Sequence, residues 1–124
     1  MENITKDTEF GVHKWKIPKL GSQECKREWL RAFFDCEAYV YKKYLRVQSV
    51  NRIGIYQVKD LLAEFNIHSN INRYKPNRKN HSEVFMLTIG KKMDKRRYKE
   101  SIGFNHKIKL KKLDKQLSKD AAIA

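Results

Sequence analysis

The chain has 124 residues, enough for one domain with a single modest core. Its 28 Lys and Arg against 14 Asp and Glu leave a formal charge of +14, which suits a densely anionic partner, nucleic acid before an anionic membrane. No apolar run approaches the length of a membrane-spanning helix, and the polar, mixed-charge start at Met1–Asp7 does not resemble a secretory signal.

In chain order, residues 1–14 have no periodicity and read as a loose arm before one domain over 15–124. Trp15-Lys16-Ile17-Pro18 is an extended anchor, because Pro18 biases Ile17 away from helix. Ser22 is an N-cap with Glu24 in the first turn, so a helix is expected from there to about Cys36. Tyr39–Val50 is aromatic and β-branched with charges at Lys42-Lys43, the pattern of a β-hairpin. Ile55, Val58, Leu61, Leu62 and Phe65 have helical spacing, which predicts a second helix over 53–65. Residues 66–74 read as a strand, 75–80 as a turn and 84–89 as a further strand. Residues 92–119 are expected to be helical with a break near Gly103. The order is αββαββα with a C-terminal helical tail, an α+β class.

Two cysteines, Cys25 and Cys36, stand at no zinc spacing and make no disulfide framework, and the four histidines are scattered. A reducing, cytoplasmic setting follows as the expectation. Cys25 is expected to be a half-buried, inert thiol. There is no Walker loop and no GxSxG elbow.

The stretch Leu30-Arg31-Ala32-Phe33-Phe34-Asp35-Cys36-Glu37-Ala38 carries most of the chemistry. Ala32 and Cys36 share one helix face, continued by Cys25 and Trp29, and small residues at that spacing let two helices approach closely. Leu30, Phe33 and Phe34 can point into the core. Asp35 and Glu37 fall at the C-terminal end, where the helix dipole is already negative. Two such helices packed together would bring carboxylates into repulsion unless a proton or cation intervenes. A hard divalent ion such as Mg²⁺ suits oxygen ligands and would support phosphodiester hydrolysis. Taken alone, the window fits equally an ordinary amphipathic helix with an acidic last turn.

The wider pattern resembles the LAGLIDADG homing-endonuclease family, especially its archaeal and intein-associated branch. Lys14–Pro18 is similar to the segment before the motif helix, and Trp29–Val40 to the motif itself. Gln48-Ser49-Val50-Asn51 with Leu61-Leu62 is similar to the strand-to-helix passage. Ile102-Gly103-Phe104 with Lys109 and Leu113 is similar to the family's ending. The resemblance spans roughly Trp15 to Leu117 and implies the αββαββα fold with a saddle-shaped antiparallel sheet. A single motif implies a homodimer through Trp29, Ala32, Phe33 and Cys36. The resemblance places the Mg²⁺ ligand at Glu37, with the Cys36 carbonyl as a second contact. It places the basic active-site residue at Lys109, with Lys107 as its rival, and a polar active-site residue at Asn51. The family favours glycine where Ala38 stands; a positive φ there would cost alanine on the order of 1 kcal/mol.

In that family the free sheet face lies in the DNA major groove. Alternation then turns Leu45, Val47 and Ile71 inward and Tyr44, Arg46, Gln48, Asn70, Asn72 and Tyr74 outward. Arg, Gln and Asn can read base edges, while Lys75, Arg78 and Lys79 suit phosphates. Tyr39 and Tyr41 could line the same face, though strand aromatics more often pack. The lysines over 107–119 add electrostatic support. The expected function is site-specific cleavage of double-stranded DNA at a long pseudo-palindromic site. The alternatives are a non-cleaving regulator, an RNA-splicing maturase, or one half of a larger two-motif protein. The initiating methionine and full element order favour an independent unit.

Overall fold

A computed structural model describes residues 15–76 and 82–123. The expected arm over 1–14 and the expected phosphate contacts Arg78 and Lys79 lie outside the described residues. Helix α1 (Gln23–Glu37) begins where Ser22, in extended backbone, accepts the Cys25 amide on its Oγ at 3.1 Å. It ends at Ala38, whose φ of −84° and ψ of 149° carry the chain straight into strand β1 (Tyr39–Tyr41). Alanine therefore pays no left-handed penalty there. Lys42 takes a left-handed φ of 53° in the tight turn to β2 (Tyr44–Ser49).

Asn51 caps α2 (Arg52–Ala63) by accepting the Gly54 amide at 3.0 Å. The strand expected over 66–74 is shorter than its polarity pattern predicts. Asn66 turns the chain with a φ of 61°, Ile67 is buried, and the His68 amide donates to Asp94 Oδ1 at 2.9 Å. Residues 66–69 are thus a connector committed to a helix tip, and β3 is Asn70–Tyr74. Strand β4 (Val84–Ile89) and helices α3 (Lys92–Ser101) and α4 (Lys107–Ile123) follow. The break at Gly103 has a φ of +75°, with the Ile102 and Gly103 amides both on the Tyr98 carbonyl.

The four strands form one antiparallel sheet in the order β1-β2-β4-β3. Register sets the faces: Leu45 opposes Ile89, and Val47 opposes Leu87, which also opposes Ile71. Leu45, Val47, Leu87 and Ile89 are fully buried with Leu30 and Phe34 of α1, Ile55, Val58 and Leu62 of α2, and Leu113 of α4. The helices thus cover one face of the sheet only.

Polar bonds fix α1 against the helices that follow. Arg27 Nε donates to the Ser101 carbonyl at 2.7 Å and Arg31 Nε to the Ile102 carbonyl at 2.8 Å, placing positive charge on the negative end of α3. Tyr98 lies buried beneath, its hydroxyl donating to the Gly103 carbonyl at 3.0 Å. Burial first, and then the charge of Asp35, push that hydroxyl well above its ordinary pKa, with Arg31 opposing.

Candidate carboxylate site and nucleic-acid interface

Helix α1 has three working faces. Leu30 and Phe34 enter the core. Arg27, Arg31 and Asp35, four residues apart, face the junction of α3 and α4. The third face carries Cys25, Ala32 and Cys36, all exposed, flanked by half-buried Trp29 and Phe33. Cys25 is therefore an exposed thiol, not the half-buried one its helix position predicts. Phe33 packs half-buried against the margin of the core, stacking on Trp29 at 5.1 Å and meeting Trp15 at 5.3 Å. All four residues expected at a dimer interface thus lie on or beside one unpartnered stripe.

Glu37 is the last residue of that helix and is exposed. It makes no hydrogen bond or ion pair with any described residue. Together with Trp15, Lys16, Trp29, Phe33, Gln48, Ser49 and Val50 it lines a cleft of about 540 Å³. The cleft joins the end of α1 to the open face of β2 through Gln48. The sequence assigns Glu37 to the metal and Gln48 to the DNA-facing sheet, and gives Lys16, Ser49 and Val50 no site role; the structure brings all five to one cleft. No local signal marks the last three, because three segments distant in sequence meet there.

Asp35 and Lys109 interlock. The Asp35 carboxylate accepts the Asn105 amide at 3.0 Å and the His106 amide at 3.0 Å, at the start of α4. Lys109 Nζ reaches back to the Asp35 carbonyl at 2.6 Å and the Phe34 carbonyl at 3.4 Å. A cation thus sits on the negative end of α1, on the carbonyl two residues before Glu37. Between the two candidate basic residues, Lys109 is half-buried against α1 and Lys107 is exposed at the first position of α4.

Asn51 is held at both ends of its amide. It is 3 % exposed; its Oδ1 caps α2 and its Nδ2 donates to the Trp15 carbonyl. Trp15 packs so closely over Gly54 that an added Cβ would stand 2.5 Å from the indole ring. Both polar atoms of Asn51 serve this anchor, so the structure gives it a capping and docking role at the position where an active-site residue is expected.

The open sheet face is as alternation predicts. Gln48, Asn70, Asn72 and Tyr74 are exposed, Tyr44 and Arg46 half-buried, and Tyr39 and Tyr41 are 36 % and 50 % exposed. Lys75 is exposed at the end of β3. None of the four strands contains Asp or Glu. An uncharged and cationic face of this kind tolerates a polyanion. Among the described residues, no helix is long and apolar enough to cross a membrane.

The family model for LAGLIDADG-like domains matches residues 24–103. The chain belongs to this family, whose members act on DNA, usually as nucleases and usually as dimers or pseudo-dimers, though some are non-cleaving maturases. The chain is 36 % identical over 103 residues to a replication factor C small subunit of Thermococcus kodakarensis, a span of 83 % of this chain and 11 % of that protein. It is 29 % identical over 101 residues to the replication factor C small subunit of Methanocaldococcus jannaschii, 81 % of this chain and 5 % of that protein. The chain thus spans about a tenth or less of the length of these curated relatives.

Proposed function

We propose that this chain is a site-specific double-stranded DNA endonuclease that works as a homodimer, with Mg²⁺ held between two Glu37 carboxylates. The observation that carries the proposal is the cleft in which Glu37, at the end of an exposed small-residue helix face, meets Gln48 of the open sheet. A second copy on that helix face would bring two Glu37 side chains together beside the bound duplex. The Glu37 carboxylate and the Cys36 carbonyl are hard oxygen donors without hydrogen-bond partners among the described residues, so the donor set fits Mg²⁺. When bound, the ion would supply an acidified water and offset charge on the leaving oxygen.

The protein's own groups prepare that chemistry. Lys109 offsets the negative end of α1, which would otherwise add to the repulsion between paired carboxylates. Asp35 holds α4 in place so that Lys109 can do so. A Mg²⁺-dependent cut at pseudo-palindromic sites is the expected reaction. The replication-factor name of the two relatives belongs to proteins of which the match is a small part, and no replication-factor activity is proposed.

The test pairs two measurements on one duplex. Glu37→Gln keeps the shape and removes the charge. It is expected to bind at least as tightly as wild type in EDTA, because a carboxylate near phosphates is gone, and to lose cleavage in Mg²⁺ by at least about 100-fold. Full cleavage by the variant would remove Glu37 from the metal. A second reading, duplex binding without cleavage, is favoured by the structural use of Asn51. Tight wild-type binding with no cut in any sequence from a randomised library would establish that reading instead.

A further inference from the structure

Across the open face, one row of side chains crosses all four strands: Tyr39 of β1 opposes Arg46 of β2, Arg46 opposes Thr88 of β4, and Thr88 opposes Asn70 of β3. Within that row Arg46 is held twice. Its Nε donates to Thr88 Oγ1 at 3.0 Å, and its guanidinium carbon lies 4.2 Å from the centre of the Tyr44 ring, two residues back on the same face. The hydroxyl fixes the edge of the guanidinium plane and the ring fixes its face. Neither Nη atom is bonded to a described residue.

A free arginine sweeps many rotamers, and ordering it on a ligand costs entropy. Here much of that ordering is built in. The two Nη groups left over form the end-on pair of donors, parallel and in one plane, that matches two neighbouring acceptors. In the major groove that pattern belongs to guanine, through O6 and N7; adenine places a donor beside its N7 and would clash with it. Gln48, next along β2, has its Nε2 committed to the Tyr39 hydroxyl at 2.8 Å. It is therefore not free to offer the paired donor and acceptor that an adenine edge requires without giving up that bond.

The geometry points to a preorganised guanine-reading site in which Arg46 makes the base contact and Thr88 and Tyr44 are positioning residues. This rests on the reading of the open face as a duplex-binding surface. It goes further by assigning one base at one position of each half-site and by giving Thr88 a role its residue type does not announce.

The experiment selects duplexes from a randomised library in EDTA with wild type, Arg46→Lys, Thr88→Val and Thr88→Ser. Valine keeps the branched shape that suits β4 and loses the hydroxyl; serine keeps the hydroxyl. Wild type is expected to enrich guanine at one position per half-site, by roughly 5- to 150-fold over other bases. Arg46→Lys keeps the charge but not the stacked, forked plane, so guanine preference should fall severalfold while affinity for bulk duplex changes little. Thr88→Val should cut the preference severalfold, and Thr88→Ser should restore it. Unchanged preference in Arg46→Lys, or equal behaviour of Thr88→Val and wild type, would overturn the assignment. Wild type that binds duplexes without base preference would also overturn it while leaving the DNA-binding function standing. Wild type that captures no duplex would overturn both.

Discussion

At the scale of single residues, the acidic pair of the motif divides its labour. Asp35 and Glu37 are two apart, yet one is consumed by the Asn105 and His106 amides and the other has no partner among the described residues. Their residue types could not separate these roles. The separation comes from α4, a chain segment 70 residues later, whose first amides need a cap. Asn51 teaches the same lesson in reverse. Its place after a strand was legible, but its cap on α2 and its bond to Trp15 depend on where the Trp15 segment docks. Asn51→Ala would remove the cap and leave the Trp15 carbonyl without this donor. We expect a loss of about 2 kcal/mol in stability and a melting temperature several degrees lower. Calorimetry checks this. A variant with wild-type melting and abolished cleavage would return Asn51 to the chemistry.

At the scale of elements, α1 is the part best read from sequence, because its cap, its apolar face and its small-residue stripe are all local patterns. The strand before β4 is shorter than its sequence pattern predicts because its connector is stabilised non-locally, by the buried Asp94 carboxylate on the His68 amide. Polar alternation cannot distinguish a connector pinned to a distant helix tip from a strand. The exposed stripe makes a definite expectation about assembly. Ala32 is exposed, so Ala32→Leu leaves the monomer's packing unchanged but adds bulk where two α1 helices would meet. Sedimentation over a range of concentrations should show dimers for wild type and a dissociation constant at least about 10-fold weaker for the variant. A strictly monomeric wild type, with and without DNA, would sink the homodimer.

At the scale of the whole molecule, charge and topology act together. The helices cover one sheet face and leave the other acid-free, so a formal +14 per chain, or 14 + 14 = +28 per dimer, has a surface on which to gather an anionic partner. Binding should release counterions and weaken steeply with salt. For six or more phosphate contacts, affinity should fall by about 10³-fold or more between 50 and 200 mM salt. Titrations at three or more salt concentrations measure the slope; a flat line would mean that the basic surface is not the binding surface. Composition alone announced the anionic partner. It could not say which face would meet it, because that depends on the register that turns Leu45 and Val47 inward.

The chain's two tryptophans, Trp15 and Trp29, both line the cleft with Glu37, and both lie against the Phe33 ring. Ultraviolet emission excited at the indole band therefore comes from this one corner of the molecule. Trp29 lies beside the stripe that a second copy would cover, whereas Trp15 is anchored through its backbone to Asn51. Replacing one indole at a time with phenylalanine would split the signal into a reporter of assembly and a reporter of the anchored segment. The unmodified protein thus carries its own dyes, and the proposed self-association and ion binding can be tested by light without attaching a label near the carboxylate.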